Sequence, residues 1–450
     1  MPSRRARILI ACAVVQSAAA CSLITDYSLP GVGDRPPSEA SADDAPAEKA
    51  DDGSAPRDAS AEVDAPACTE NPCVVELAAA GQTTCARTND GIVRCWGLNN
   101  TGATGGGTAG DYAVPTKVAF DGPVDEISLG DWGNDDATAC ARRGALVECW
   151  GQDGAGRKLG RGGAVSDGNF VPVPAPVSGA AAALSLAVSS DRVCARVGGD
   201  RLACWGKMYD KTIQPSAVTM TAPGPVTQIV GGRQHDCVLL ESKEVACAGY
   251  TYSFKENWPD GGVGPGQTGF VRVAGVTGIV QIATMGNFVC ALKAGGSVLC
   301  WGRNKQGQLG RGDVGKESTV PAPVALPRAA KAIGTGQSHA CAVLEDDTVW
   351  CWGRNGGGSS KYDGTSIQRG QVGALANGGL DDFTSTARKI GGLPSGTVRA
   401  VVGGYAHSCA LTASGAAYCW GSNAHGELGL GNVDGGVDGL AHPTATRVRF

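Results

Sequence analysis

Cysteine has the clearest capacity for chemistry in this sequence, which contains 18 cysteines among 450 residues. Sixteen of them form eight pairs of near neighbours: Cys68 with Cys73, Cys85 with Cys95, Cys140 with Cys149, Cys194 with Cys204, Cys237 with Cys247, Cys290 with Cys300, Cys341 with Cys351, and Cys409 with Cys419. Zinc sites favour about two to four residues between paired cysteines, whereas seven of these pairs enclose eight or nine. Because this cysteine usage is typical of an oxidising compartment, the pattern predicts eight local disulfides and no metal site.

Each of the seven longer pairs fits the two strands of one β-hairpin. In the first pair, Asn89-Asp90-Gly91 is a strong turn signal, and pairing Thr88 with Ile92 places Cys85 opposite Cys95. Directly opposed residues of antiparallel strands lie within disulfide range. Six of the hairpins end in Trp-Gly, and the first cysteines recur mostly about fifty residues apart, which is close to the length of one propeller blade.

Histidine is the usual candidate for acid–base catalysis. His235, His339 and His407 each lie two residues before the first cysteine of a pair. A residue that recurs once per repeat is typical of architecture, so we expect these three to hydrogen-bond within their own sheets. His425 lies in a turn and His442 near the C-terminus, and neither has an evident carboxylate partner in the sequence. No catalytic residue is predicted.

The glycine-rich stretches carry no phosphate-binding pattern. The sequence has no P-loop, zinc-protease, calcium-loop or nucleophile-elbow motif. We therefore interpret the glycines as turn residues that need a positive φ, and the Trp-Gly pairs as packing between neighbouring blades. No cofactor is expected.

The N-terminus has the anatomy of an export signal. Three arginines precede the short apolar run 8–15, and small residues precede Cys21. Two interpretations remain open. Either a bacterial lipobox leaves Cys21 acylated, or the chain is simply secreted, because Ala18 replaces the usual lipobox leucine. We expect export to the cell envelope, with a lipid anchor in the outer membrane as the membrane contact and secretion as the alternative.

Charge separates a tether from the body of the chain. Residues 26–66 contain eleven acids and three bases, whereas residues 67–450 carry a net charge near zero. A segment this acidic and poor in apolar side chains cannot bury enough surface to fold. We expect a signal peptide at 1–20, a disordered acidic tether at 21–67 and one folded body at 68–450. A neutral body lacks the basic footprint of a nucleic-acid binder, so nucleic acid is not an expected partner.

The hairpins belong to a longer repeated phrase. A Val/Ile strand ending in glycine precedes the hairpin, as in residues 228–232 and 401–404. Gly-x-Asn-x-x-Gly-x-Leu-Gly follows it at 302–310 and 421–429, and then comes a Pro-to-Val strand such as 320–324. This phrase resembles the regulator of chromosome condensation repeat family over roughly residues 74–450. The resemblance implies an all-β, seven-bladed β-propeller, here with one disulfide hairpin per blade.

The resemblance also implies activities that the repeat residues quoted above do not themselves indicate. The family includes a nucleotide exchange factor for a small GTPase and a plant photoreceptor with a Gly-Trp-Arg-His-Thr phrase. Its nearest counterpart here is Gly232-Arg233-Gln234-His235-Asp236, which lacks the Trp. Guanine-nucleotide exchange and an enzyme site at the central channel therefore stay open as alternatives to a binding role.

Ring closure makes a separate prediction. The first hairpin has no Pro-to-Val strand before it, and the last one has such a strand after it, at residues 443–448. We expect this final strand to join the first blade, which would remove two free strand edges.

Insertions that interrupt the repeat are the candidates for binding, because irregular loops on a rigid scaffold carry function. Tyr250, Tyr252, Phe254 and Trp258 place four aromatic side chains in one insertion of an aromatic-poor chain. Such side chains suit contact with protein or glycan, and a small core beneath the loop is the alternative. A second long loop spans 354–397. We predict a monomeric, non-catalytic scaffold for an unknown protein or polysaccharide partner.

Overall fold

The computed structural model describes residues 68–108, 110–131, 137–154, 157–162, 170–249, 269–355, 383–396, 398–431 and 441–450. They form 28 β-strands in seven four-stranded antiparallel sheets. The prediction of an all-β, seven-bladed propeller is confirmed. Within these ranges no helix is present that is long and apolar enough to cross a membrane.

Each sheet is one blade, and blades 1 to 7 follow chain order. Blade 1 contains β1 (Val74–Ala80), β2 (Thr83–Thr88), β3 (Val93–Gly97) and β4 (Tyr112–Lys117). Blade 2 contains β5 (Glu126–Asp131), β6 (Ala137–Arg143), β7 (Leu146–Gln152) and β8 (Phe170–Pro176). Blade 3 contains β9 (Ser185–Val188), β10 (Arg192–Gly198), β11 (Arg201–Lys207) and β12 (Ile213–Thr221). Blade 4 contains β13 (Val226–Gly231), β14 (His235–Leu240), β15 (Val245–Gly249) and β16 (Val271–Arg272).

Blade 5 contains β17 (Ile279–Thr284), β18 (Phe288–Lys293), β19 (Val298–Gly302) and β20 (Ser318–Pro323). Blade 6 contains β21 (Ala330–Thr335), β22 (His339–Leu344), β23 (Val349–Arg354) and β24 (Phe383–Lys389). Blade 7 contains β25 (Val398–Gly403), β26 (His407–Thr412), β27 (Ala417–Gly421) and β28 (His442–Arg447). The first strand of each blade is innermost, because these seven strands contact one another from β1 and β5 round to β25 and β1.

The two middle strands of every blade carry one disulfide. In blade 1, Cys85 lies opposite Cys95 with Cα atoms 4.1 Å apart, and Thr88 N–H donates to Ile92 O at 2.9 Å. The same opposed pairing recurs in the other six hairpins. Their disulfides, in chain order, join Cys140 to Cys149, Cys194 to Cys204, Cys237 to Cys247, Cys290 to Cys300, Cys341 to Cys351, and Cys409 to Cys419.

The prediction of one disulfide hairpin per blade is therefore confirmed, with the cysteine partners that the sequence pattern indicates. An eighth disulfide, between Cys68 and Cys73, precedes β1 and lies outside the seven hairpins. All sixteen of these cysteines are thus bonded to a near neighbour in the chain.

Alternating strand direction gives the ring two different faces. We call one the hairpin face, because it holds the tips of the disulfide hairpins (for example 89–92) and the connections between blades (118–125). The other is the loop face. It holds the turn from the first to the second strand of each blade (Gly81 and Gln82 in blade 1) and the start of the connection from the third to the fourth strand.

The predicted transfer of the last strand to the first blade is wrong. β28 pairs with β27 in blade 7, and blade 1 takes all four of its strands from the start of the ring. Each repeat begins with the innermost strand of a blade, the channel strand, and ends with the outermost one, the rim strand. Every blade is therefore complete in itself. The seam between blades 7 and 1 is instead held by the segment around Cys68–Cys73. Thr69 and Glu70 N–H both donate to Ser414 O at 3.2 Å, and Val74 N–H donates to Gly415 O at 2.9 Å.

The blades whose sequences depart from the repeat still have a fourth strand. β12 completes blade 3 and the two-residue β16 completes blade 4. The second predicted loop, 354–397, contains β24, which is the rim strand of blade 6. The strands β16 and β24 contain no proline, and rim strands are exposed, so little in the sequence marks these two.

Candidate functional site

Tryptophan joins four of the blades to the blade before them. Four indole N–H groups donate to a backbone carbonyl in the loop of the preceding blade, at 2.7–3.0 Å. The donor–acceptor pairs are Trp96–Glu427, Trp150–Ala103, Trp205–Lys158 and Trp352–Gln308. All four indoles are fully buried. The predicted packing of Trp-Gly between blades is confirmed, and Trp96 carries it across the closing seam.

The loop that receives each indole is shaped by an Asn or Asp two residues after Trp-Gly. The Asn304 side-chain oxygen accepts a hydrogen bond from Leu309 N–H at 3.1 Å, and Asp153 does the same for Leu159 at 2.8 Å. The glycine after that leucine then lies against the next blade. At Gly160, with φ +65°, an added Cβ would lie 2.7 Å from the Trp205 ring. Glycine is required there by both conformation and space.

The three repeated histidines join neighbouring blades, so the prediction that they bond within their own sheets is wrong. His235 Nε2 lies 3.0 Å from Thr284 Oγ1 of blade 5. The other two follow the same rule, with His339 Nε2 2.8 Å from Ser408 Oγ and His407 Nε2 2.7 Å from Thr84 Oγ1. Each imidazole lies at the start of a second strand and reaches over the blade edge. The histidines do have an architectural role, but they join neighbouring sheets.

These imidazoles are neutral and oriented by their partners. Thr84 donates its single hydroxyl hydrogen to Glu427 O at 3.0 Å, so the hydroxyl accepts from His407 Nε2–H. Thr284 likewise donates to Phe288 O, which assigns the same tautomer to His235. Burial lowers the pKa of His235 and His407 to about 3 and that of His339 to about 4. A base this weak and enclosed is unsuited to proton transfer near neutral pH.

Blade 3 uses an ion pair at the equivalent place. Arg192 Nη1 donates to Asp236 Oδ2 at 2.8 Å, and both side chains are buried. Tyr209 OH donates to the same oxygen at 2.6 Å, and the Arg192 guanidinium lies 3.9 Å from the centroid of the Tyr209 ring. Burial, followed by the Asp236 charge, raises the pKa of Tyr209 well above its ordinary value. The cluster ties blade 3 to blade 4 through Asp236 Oδ2, which accepts from both Arg192 and Tyr209.

Two carboxylates lie on the inner strands near the hairpin face. Glu76 Oε1 accepts from Ile127 N–H at 3.3 Å, and its Oε2 accepts from Arg87 Nε at 2.7 Å. Glu126 accepts from Leu186 N–H at 2.9 Å and pairs with Arg142 at 3.2 Å. Burial raises the pKa of Glu76 to about 7 despite the opposing effect of Arg87. Both carboxylates therefore bridge consecutive blades.

The loop face carries an arc of cations over four successive blades. Lys207, Arg303 and Arg354 each follow the Gly of a Trp-Gly pair, at the end of the third strand in blades 3, 5 and 6. Arg233 lies on the first turn of blade 4. The backbone N–H groups of Lys207, Arg303 and Arg354 each donate at 2.9 Å to a carbonyl in the first turn of their own blade. Arg354 also donates to Tyr405 OH at 3.1 Å. We call these four residues the cationic arc.

The cations of the arc lie on one side of the ring. In blades 7, 1 and 2 the position after Gly holds Ser422, Leu98 and Gln152, which are uncharged. Within the described ranges, no carboxylate forms an ion pair with Lys207, Arg303 or Arg354. Half-buried cations on fixed backbone positions are suited to an anionic ligand.

Several predicted site residues fall outside the described residues. These are the lipidation residue Cys21 and the aromatic residues Tyr250, Tyr252, Phe254 and Trp258. The described part of the chain holds no group of three or more His, Cys, Asp or Glu that could bind a metal ion. His425, which has no evident partner in the sequence, lies 2.8 Å from Asp111 Oδ2 across the closing seam.

The model of the Regulator of chromosome condensation (RCC1) repeat matches residues 74–103, 279–308, 330–359 and 398–427, and a second model of this repeat matches 295–343. Over these segments the chain is similar to the RCC1 repeat. The four matches of the first model fall on blades 1, 5, 6 and 7, where the Gly-x-Asn loop described above is most regular.

Two known proteins are similar to this chain over part of its length. Ultraviolet-B receptor UVR8 of Arabidopsis thaliana is 27% identical over 299 residues, which cover 55% of this chain and 67% of the receptor. The secretion-regulating guanine nucleotide exchange factor of Bos taurus is 31% identical over 212 residues, or 46% of this chain and 42% of the factor. The matched region thus spans less than half of the bovine protein.

Two solved structures share the architecture. Prp20p from Saccharomyces cerevisiae superposes with a TM-score of 0.66 at 19% identity, covering 81% of this chain and 87% of the yeast chain. Human WBSCR16 gives a TM-score of 0.62 at 18% identity, covering 80% of this chain and 95% of the human chain. At these identities the likeness concerns the fold alone.

Proposed function

We propose that this protein is a non-catalytic binding scaffold whose loop face holds an anionic region of a protein or polysaccharide partner. The observation that carries the proposal is the cationic arc of Lys207, Arg233, Arg303 and Arg354 on a ring locked by interblade bonds. A rigid ring loses little entropy when it binds, because its contact residues are already fixed. Arginine forks also match carboxylates in two-point contacts.

The inner carboxylates support this role over catalysis. Glu76 and Glu126 each pair with an arginine of their own blade and accept a hydrogen bond from a strand N–H of the next blade. A catalytic carboxylate needs an oxygen that can face a substrate, and these oxygens already have partners. The buried histidines are likewise engaged, which leaves binding as the better supported function.

The proposal is tested by neutralising the arc. The variant combines Lys207→Gln, Arg303→Gln and Arg354→Gln, and envelope extracts and glycan arrays are probed with it and with the wild type. We expect the wild type to recover a partner that the variant loses, with binding that weakens as salt rises. The matched control is Lys211→Gln with Lys305→Gln and Lys316→Gln, which removes the same charge from exposed positions of the loop-face connections. Loss of binding in the control, or no partner for the wild type, would contradict the proposal.

We also infer export and lipid anchoring from the N-terminal pattern and Cys21. The abundance of disulfides supports an oxidising compartment. Mass spectrometry of the mature N-terminus tests this, because an acylated Cys21 supports the outer-membrane lipoprotein, whereas an unmodified new N-terminus supports simple secretion. Retention of residues 1–20 would refute both.

A second candidate is guanine-nucleotide exchange, which the bovine relative's name favours. Export would separate the protein from cytosolic GTPases, and the similarity covers less than half of that relative. Release of a fluorescent guanine nucleotide from a panel of small GTPases tests it directly. Unchanged release rates would remove this candidate.

A further inference from the structure

The free edges of the innermost strands are bridged by side chains. An innermost strand pairs with its blade on one edge only, so its other edge presents unpaired peptide groups to the next blade. Gln228 accepts from Ile282 N–H at 2.9 Å and donates to Ile282 O at 3.0 Å. Gln281 does the same for Ile333 at 2.9 and 3.0 Å. With Glu76 and Glu126, four of the seven seams have such a bridge.

The seam between blades 7 and 1 has no Gln or Glu at the bridging position, although Arg399 donates to Val75 O there. Gln228, Gln281 and Ala400 each follow a register shift near the start of an innermost strand, so they occupy equivalent positions. The equivalent receiver in blade 1 is Leu77, which pairs with Ala86 as Ile282 pairs with Ala291. The methyl group of Ala400 is too short to reach a peptide of the next blade. A cavity of about 320 Å³ is present there, and its lining includes Val75, Glu76, Leu77, Arg399, Ala400 and Val402.

This cavity contains an unbalanced positive charge. Arg399 Nη2 donates to Val75 O at 2.8 Å, but the buried Nε has no partner. Burial and the nearby Arg87 guanidinium both lower the pKa of Arg399. Glu76, the acid of the same cavity, is already paired with Arg87. In the ranges that the structure covers, Arg399 has no ion pair of its own.

We propose that the cavity between blades 7 and 1 binds a carboxylate carried on a short aliphatic stem. The carboxylate would pair with the Arg399 guanidinium and accept from the Leu77 peptide, as Glu126 and Gln281 accept from a strand N–H at other seams. The stem would pack against Val75 and Val402. The chemistry fits a free short-chain carboxylate or the end of a peptide. This site goes beyond the proposed partner on the loop face and does not depend on it.

The seam between blades 6 and 7 provides a built-in comparison. Ala332 occupies the bridging position there, after the same register shift. The neighbouring cation, Lys331, is already paired with Asp347. A carboxylate is therefore expected at the 7–1 seam but not at the 6–7 seam.

The test is calorimetric titration of the full chain with named probes. These are glutarate, its diamide, and a short peptide with either a free or an amidated C-terminus. We expect glutarate or the free-acid peptide to bind, and the amides to bind roughly tenfold more weakly or worse. Binding of glutarate identifies a small-molecule site, and binding of the free-acid peptide alone identifies a peptide terminus. Absence of binding by both acids overturns the proposal.

Two substitutions locate the site. Ala400→Gln should fill the cavity with the missing bridge and weaken binding roughly tenfold or more, with a melting temperature at or above that of the wild type. Arg399→Gln should weaken binding without filling the cavity, and it serves if the first variant does not fold. Ala332→Gln is the matched control and should bind like the wild type. Unchanged affinity in Ala400→Gln or Arg399→Gln would overturn the proposal. Neither substitution touches the cationic arc, so loss of the loop-face partner is a separate result.

Discussion

The imidazole of His407, in the last blade, lies 2.7 Å from the hydroxyl oxygen of Thr84, in the first. These residues are 323 positions apart in the chain. Their contact repeats the geometry of the His339–Ser408 contact at the preceding seam. The ring therefore closes with the same kind of bond that joins its internal blades, together with the segment around Cys68–Cys73.

A double-mutant cycle measures this closing bond. Thr84→Val and His407→Gln should each destabilise the protein, with a coupling energy of about 1 kcal/mol because the two side chains share one hydrogen bond. Urea unfolding of the wild type, both single variants and the double variant gives the coupling. Thr116→Val is the control, because its exposed hydroxyl bonds to Val114 O within its own strand, and its effect should add to that of His407→Gln without coupling.

The pH dependence of the same variant tests the charge of the imidazole. The pKa of His407 falls from 6.5 to about 3 on folding, so below 6.5 the unfolded chain binds a proton that the native state refuses. The stability supplied by the neutral ring is present above pH 6.5 and is lost as the pH falls toward 3, by at most about 1.4 kcal/mol per pH unit.

His407→Gln removes this titration. Its destabilisation relative to the wild type should therefore be largest above pH 7 and should shrink at about pH 5. Unfolding free energies of both proteins at the two pH values provide the measurement, and other titrating groups cancel in the difference. A destabilisation that grows on acidification would show that the buried ring is charged.

Gly160→Ala should cost more than an ordinary left-handed glycine substitution. Gly160 has φ +65° and faces the Trp205 ring at 2.7 Å from an added Cβ, whereas Gly199 has φ +59° with open space around it. Gly199→Ala should cost about 1 kcal/mol from backbone conformation alone. Gly160→Ala should cost about 1–3 kcal/mol more from overpacking. Equal losses in thermal unfolding would mean that the indole moves aside freely.

Exposure should decide which disulfide is reduced first. Cys68 is exposed, whereas the hairpin cysteines are at most 2% exposed. Brief treatment with a mild reductant followed by alkylation should label Cys68 and Cys73 before any hairpin cysteine, because thiol exchange needs access to a sulfur. Peptide mass spectrometry reads the order of labelling. Earlier labelling of a hairpin pair would show that its blade opens more readily than the seam segment.

Local patterns allowed the fold to be predicted. The hairpin register follows from a turn signal between two cysteines, as at Asn89-Asp90-Gly91, and all of its determinants lie within about a dozen residues. The fate of the last strand could not be read in this way. From the sequence alone, β28 could pair either with β27 or with the first blade. Only the strand pairing in three dimensions shows that β28 and β1 each belong to their own blade.

The polar contacts between blades could not be predicted, because their partners are distant in sequence. Arg192 and Asp236 are 44 residues apart, and Trp96 and Glu427 are 331 apart. Arg192 does occupy the histidine position of its repeat, two residues before Cys194. Aligning that column would have suggested a shared interblade role. Three residues of the cationic arc also share one repeat position, immediately after the Gly of the Trp-Gly pair, and no irregular insertion marks them.

Near-neighbour pairing of the cysteines has a consequence for how the chain matures. Every bridge joins a cysteine to the next one along the chain, with separations of 5 to 10 residues. Oxidation in order of synthesis, from the first hairpin to the last, therefore gives the native set, and a thiol need not wait for a distant partner. Maturation can advance one hairpin at a time with little need for reshuffling by an isomerase.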